Sequence, residues 1–334
     1  MKKSYLMMAA AATMFAACTQ SDFVNNVSEE APQAIGFENH IGKSTRAAIT
    51  DVDDLKNAEG GFIVWGYKTS LATLNWGSQT TVLDEQKVEW TDAGAWEYSP
   101  IQYWDKMSTY KFYAAAPAGD YDIVAATGFI TIPNVASAKY TDSKDYLVTR
   151  GAKTQDGTNT ATVKFDFHHT MTKVVVKLQR TTDAEITVTS LSMSGWDNAL
   201  GTFTQNSESA PADATDTDEW ELATPAVAGN VQLVGTGCTD TKVVLSNDDA
   251  VTVNDYYVMV PQEIDAATLT FTLSYEINGQ TFTDHVGALA AAQVWGTDVE
   301  VTYTVKVGPA SIDFDVYSIC NWMHNTADDN LTIE

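Results

Sequence analysis

The sequence predicts an all-β fold: two β-sandwiches in tandem behind a signal peptide and a polar leader. Three observations carry this. Short runs rich in Val, Ile, Phe, Tyr and Thr recur between turn residues from Gly61 onward. The second half shows clean period-two alternation. Helical periodicity is suggested only over Asp51–Ala58 and Ala288–Val294.

The chain opens with Lys2 and Lys3, an apolar stretch from Tyr5 to Phe15, and then Ala16-Ala17-Cys18. A positive start, a short apolar run and small residues before a cut describe a secretory signal peptide, too short to span a bilayer. Phe15-Ala16-Ala17-Cys18 resembles the lipobox of bacterial lipoproteins, in which the cysteine thiol is lipidated and becomes the mature N-terminus. That reading makes residues 1–17 the signal peptide and Cys18 a lipidation site, tethering the chain by acyl groups such as palmitate rather than by a helix. Residues 19–46 read as disordered: Thr19–Gln33 is polar and short of aromatics, with Ala34-Ile35-Gly36-Phe37 as a brief strand.

Further along, Phe62–Tyr67 and Tyr110–Ala114 read as strands, the second closed by Pro117 and Gly119, and Phe129–Ile132 and Tyr146–Val148 follow. Val163, Phe165 and Phe167 face one way and Lys164 and Asp166 the other. Leu269, Phe271, Leu273, Tyr275 and Ile277 make one inward row. Asn278-Gly279 then fits a two-residue type I′ turn, because both residues tolerate φ > 0. Val299, Val301, Tyr303, Val305 and Val307 make a second row, and Ile312, Phe314 and Val316 a last one after Gly308-Pro309. The polar loop Gly151–Asn159 places a domain boundary between residues 47–158 and 159–334.

The 334 residues are 44% hydrophobic, enough for a substantial core, and carry a formal charge of −25. Such acidity argues against nucleic acid, whose phosphates require a Lys/Arg surface, and against peripheral binding to anionic membranes. The chain has three cysteines. With Cys18 lipidated, Cys238 and Cys320 read as two isolated buried thiols, and a disulfide between them is the alternative in an oxidising compartment.

No constellation points to catalysis, a cofactor or a metal. Gly42-Lys43-Ser44 lacks the upstream glycine spacing and the βαβ context of a P-loop. His168 and His169, as strand neighbours, point to opposite faces and do not chelate one ion together. The acidic stretch Gln205–Glu219, with Asp213, Asp216 and Asp218, lacks the glycine and spaced Glu of an EF-hand and reads as a solvated loop rather than a Ca²⁺ site. Trp65, Trp76, Trp90, Trp96 and Trp104 read as packing residues, with stacking on sugar rings as the alternative.

Four local patterns fit together: the lipobox at Cys18, Thr45-Arg46-Ala47, the stretch from Tyr98-Ser99-Pro100-Ile101-Gln102-Tyr103-Trp104 to Phe112-Tyr113-Ala114-Ala115-Ala116-Pro117, and Phe165–Val174. In this order they resemble the fimbrillin family, the subunits of type V pili. The resemblance implies two transthyretin-like β-sandwiches in a lipoprotein precursor carried to the outer membrane, then an extracellular fibre. It implies a cut by an Arg-specific protease in the leader, removal of a first strand, and polymerisation as a strand from another subunit fills the vacated groove. Partners are then other copies of the chain and other pilus subunits, the protease, the outer membrane through lipid, and host glycans or proteins. Arg46 fits the cut: of the three arginines, it alone lies in the polar leader. This makes residues 18–46 the leader, Ala34–Phe37 the strand that is lost, and Ala47 the new N-terminus. The expected donor is the C-terminal region with Ile312, Phe314 and Val316, and the expected groove lies near Trp65. A surface glycan-binding lipoprotein, or an anchor or tip adhesin, is the competing reading.

Overall fold

The strands with the longest unbroken apolar runs lie at the centre of the largest sheet, because both of its faces are covered. The computed structural model describes residues 31–40, 61–119, 121–124, 129–142, 144–206, 217–309 and 312–321. Phe62–Ser70 and Ser108–Ala116 pair antiparallel at the middle of an eight-stranded sheet. On one face Phe62, Val64, Phe112 and Ala114 pack with Phe165 and Phe167; on the other Ile63, Trp65, Tyr113 and Ala115 join a separate core. Continuous apolar sequence, rather than alternation, is what burial on both faces requires.

That second core is shared. Its far side is built from Phe129–Val135 and Gly201–Thr204, and from Val175, Tyr256 and Val258. The latter three lie on strands Thr172–Arg180 and Val251–Met259, whose alternate residues Val174, Val176, Tyr257 and Met259 face a third core. The third core is a sandwich between a sheet containing Val299–Val307 and one containing Ile186–Asp197 and Thr270–Ile277. The rows Leu269–Ile277 and Val299–Val307 expected from alternation are fully buried there.

The hairpin at Asn278-Gly279 forms as expected: Ile277 pairs with Gln280, with φ of 51° at Asn278 and 77° at Gly279. Ala288–Val294 is not helical. Its first residue ends strand Gln280–Ala288 and its last two begin Gln293–Trp295. Between them Leu289 is buried, its N–H donating to the Leu269 carbonyl and its carbonyl accepting from Ala267. One anchored leucine outweighs the helix propensity of the surrounding alanines. Asp51–Ala58 lies outside the described residues.

The chain crosses the expected boundary at residue 158 without changing sheets. Strand Val163–His169 pairs with Leu147–Thr149 in the large sheet, and Gly201–Thr204 returns to pair with Phe129–Val135. Alternation gives each strand its buried face but does not name its partner. Strand Ile312–Asn321 pairs antiparallel with Val299–Val307, from Val307↔Ile312 to Val299↔Asn321, and is the edge of its sheet.

Candidate functional site

The segment just before the expected cut lies in the stretch expected to be disordered, yet residues 33–40 are built into the large sheet because Ile35 and Phe37 fill its core. Phe37–His40 lies parallel to Val163–Asp166, and the Val163 N–H donates to the Gly36 carbonyl at 2.9 Å. The other edge of the segment is held by residues 98–104. Ile35 N–H donates to the Gln102 carbonyl at 2.9 Å, and Trp104 N–H donates to the Gln33 carbonyl at 3.0 Å. Tyr98 Oη donates to the Ile35 carbonyl at 2.9 Å. Burial raises the Tyr98 phenol pKa above its ordinary 10.0, which keeps it a neutral donor.

Ile35 and Phe37, two residues apart, point into the same core and are only 1% and 4% exposed. The Phe37 ring lies 5.4 Å from Tyr98 and 5.7 Å from both Phe112 and Phe165. Taking the segment away would open a slot floored by aromatic rings and edged by the N–H of Val163 and Trp104, the carbonyl of Gln102 and the Tyr98 hydroxyl. An apolar slot with unpaired backbone along both edges is a receptor for an extended strand with apolar residues at i and i+2.

This seat is not the groove expected near Trp65. Trp65 belongs to the same sheet but faces the shared core on its opposite side. A one-residue step along a strand reverses the face, and Trp65 is one residue out of phase with Val64 and Phe112 across the sheet. Trp104 lines the seat; Trp76 and Trp96 are partly buried against the cores, and Trp90 packs on Trp96 at 5.3 Å.

The remaining sequence-derived sites are distributed as follows. Cys18, Arg46 and Ala47 lie outside the described residues. Ile312, Phe314 and Val316 occupy edge-strand positions paired with Val307, Val305 and Tyr303. Cys238 is a half-buried free thiol. His169 is fully buried with Nδ1 2.9 Å from Asp145 Oδ1, while half-buried His168 has Nδ1 3.4 Å from Asp298 Oδ2. No group of three His, Cys, Asp or Glu able to hold a metal occurs among the described residues.

Glu219, expected in a solvated acidic loop, is instead buried. Both of its oxygens accept from Arg150 Nη1 at 2.7 Å, and the two side chains are 2% and 4% exposed. Arg150 also lies over the Phe203 ring at 5.8 Å. Arg180 is similarly tied, with Nε donating to Asp248 at 3.0 Å and Nη1 to the Asp183 carbonyl at 2.9 Å. Local sequence carries no signal for the Arg150–Glu219 pair, whose members are 69 residues apart.

A fimbrillin-like family profile matches residues 45–322. No curated protein matches the chain. Among solved structures, a fimbrial protein from Bacteroides vulgatus ATCC 8482 shares 19% identity and a TM-score of 0.63, over 87% of this chain and 99% of that one. A protein named for cell adhesion from Bacteroides uniformis ATCC 8492 shares 14% identity and a TM-score of 0.51, over 86% of this chain and 98% of that one. At these identities the likeness is one of fold.

Proposed function

The chain belongs to the fimbrillin-like family, and from that premise we propose that it is a non-enzymatic structural subunit of a type V pilus supporting cell adhesion. It is exported as a lipoprotein through Cys18 and held at the outer membrane. An Arg-specific protease cuts after Arg46, the leader leaves, and a strand from another subunit takes its place. The extracellular fibre grows by repetition of this step.

The observation that carries the reading is the seat of Gln33–His40. A segment that lies upstream of Arg46 fills a core and pairs along both of its edges. Losing it costs apolar burial of about 1.5–3 kcal/mol for each of Ile35 and Phe37, plus the unmade backbone bonds. An incoming strand restores both at once, so cutting converts a stable monomer into one that captures a neighbour. The arginines support the choice of cut. Arg150 and Arg180 are held in ion pairs, so a protease that needs an extended, accessible chain is steered away from both.

The donor in this reading is the region of Ile312, Phe314 and Val316, which rests on Val299–Val307 in the free subunit. Replacing Arg46 with Ala is the direct test. The variant should stay longer, membrane-bound and unpolymerised, and N-terminal sequencing of the wild-type surface protein should begin at Ala47. Normal fibres from the variant would refute the cut at Arg46.

A further inference from the structure

A cleft of about 400 Å³ lies on the surface away from the leader seat, between residues 137–142 and the segment 230–239. Its volume is at the lower end of ligand pockets, which run to about 300–1,000 Å³. Trp196, Tyr257 and Met259 lie beneath it, packed in the third core and at most 6% exposed. Trp196 is locked there: a Cβ at Gly229 would sit 2.2 Å from the indole, so only a glycine backbone can lie against it. The indole Nε1 donates to Asn198 Oδ1 at 3.3 Å, which ties that amide to the floor of the cleft.

The walls are rich in groups that both give and accept hydrogen bonds. Asn198 and Asn230 contribute amides, Thr239 a hydroxyl and Asp142 a carboxylate, whereas the Gln232 amide N–H groups already donate to Ser190 Oγ and the Leu191 and Val234 carbonyls. Asn230 is exposed, and its side chain makes no hydrogen bond among the described residues. The two walls are clasped by Lys139 Nζ donating to Thr239 Oγ1 at 3.1 Å, so the ammonium is engaged rather than aimed at a ligand.

We propose that this cleft binds a neutral saccharide residue. The Asn198 and Asn230 amides match vicinal hydroxyls, the Asp142 carboxylate accepts from a third hydroxyl, and the small exposed edge of the apolar floor suits a ring C–H. An anionic ligand is disfavoured by Asp142 and by the chain's charge of −25. The inference does not depend on polymerisation, so it stands or falls separately from the pilus reading.

The test is saturation-transfer NMR on the full-length soluble subunit with methyl glycosides of D-galactose, D-mannose, L-fucose and N-acetyl-D-glucosamine. At least one should show transfer. Asn230→Ala and Asp142→Ala should each weaken its binding by about tenfold with an unchanged melting midpoint, since both side chains are exposed. The bound sugar should also slow alkylation of Cys238, which lines the cleft. Absence of transfer from all four glycosides overturns the proposal. So does binding that neither variant weakens, or binding that leaves Cys238 alkylation unchanged.

Discussion

Tyr98 donates its hydroxyl hydrogen to the carbonyl of Ile35 at 2.9 Å, across 63 residues of sequence. This bond ties the leader to the body of the fold from one side while Val163 ties it from the other. Residues 33–40 therefore form part of the large sheet in the full chain, and the proposed removal of this segment would have an energetic consequence that can be measured.

Phe37→Ala should lower the unfolding free energy of the uncut chain by about 3–5 kcal/mol, the usual cost of emptying an aromatic site in a packed core. Tyr98→Phe should cost less, about 1–3 kcal/mol, because it leaves the buried Ile35 carbonyl without this donor. Urea denaturation of the precursor checks both. A Phe37→Ala precursor as stable as wild type would show that the leader strand is not packed in solution.

The Arg150–Glu219 pair sets a second expectation. Glu219→Gln leaves a buried guanidinium without its counter-charge and should destabilise by about 3–5 kcal/mol. The loss should also make the chain susceptible to an Arg-specific protease at residue 150, where the buried pair should keep the wild type resistant. Replacing both residues with apolar ones of similar volume should recover much of the stability, because desolvation of the charges is removed together with their attraction. Limited proteolysis with N-terminal sequencing of the fragments reads the outcome. A Glu219→Gln variant that stays resistant would mean that the pair does not protect this arginine.

Asp105 sits where the 98–104 segment turns into strand Ser108–Ala116. Its carboxyl is held below the ordinary 3.8, first by the N–H of Met107, then by the Ser108 hydroxyl and the Lys68 ammonium 3.1 Å away. A depressed carboxylate pKa stabilises the fold fully above the unfolded value and ceases to do so as pH falls through the folded one. Stability should thus decline below about pH 4 more steeply in wild type than in Asp105→Asn. The ion pair is substantially exposed, so the difference should be small and should shrink further in salt. Parallel melting curves from neutral pH into acid test this, and identical slopes would remove Asp105 from the acid response.

These elements differ in how much local sequence reveals. The rows from Leu269 to Ile277 and from Val299 to Val307 were legible because a strand with one buried face must alternate. The Asn278-Gly279 turn was legible because its backbone demands residues that tolerate positive φ. Ala34–Phe37 was legible as a strand, but its partners Val163 and Gln102 were not, since pairing is decided by long-range packing. Trp65 illustrates the same limit: its burial was readable and its side of the sheet was not. Glu219 was misread because acidic neighbours suggest solvent, whereas Arg150 reaches it only in the folded state. The cleft beside Trp196 had no signature at all, as its walls come from residues about 100 apart, Lys139 and Thr239 among them.

The seat of residues 33–40 also allows a direct test of the proposed strand replacement. Thr162 is exposed and lies 3.7 Å from where a Cβ at Gly36 would be, so Thr162→Cys reports on whatever strand occupies the position of residues 35–37. With Ile312 and Phe314 in the inward positions of Ile35 and Phe37, residue 313 takes the outward position of Gly36, so Asp313→Cys marks the expected donor. In the free subunit position 313 is paired with Lys306, in a different sheet from Val163 beside Thr162. With Cys238 and Cys320 replaced by Ser, and Cys18 lost with the cut leader, one thiol of each kind remains per subunit. Donation into the seat should bring position 313 of one subunit against position 162 of the next, giving an oxidation-dependent ladder of covalent multimers that collapses to monomer on reduction. Each single-cysteine variant can form at most a dimer and sets the background. The ladder should also require the cut, so adding Arg46→Ala should abolish it while the precursor remains folded. Fibres that assemble normally without any ladder would exclude register at position 313. A scan of cysteines at Asp315 and Tyr317, which share the outward face, then separates a shifted register, in which one of these forms the ladder, from a donor elsewhere in the chain, in which none does.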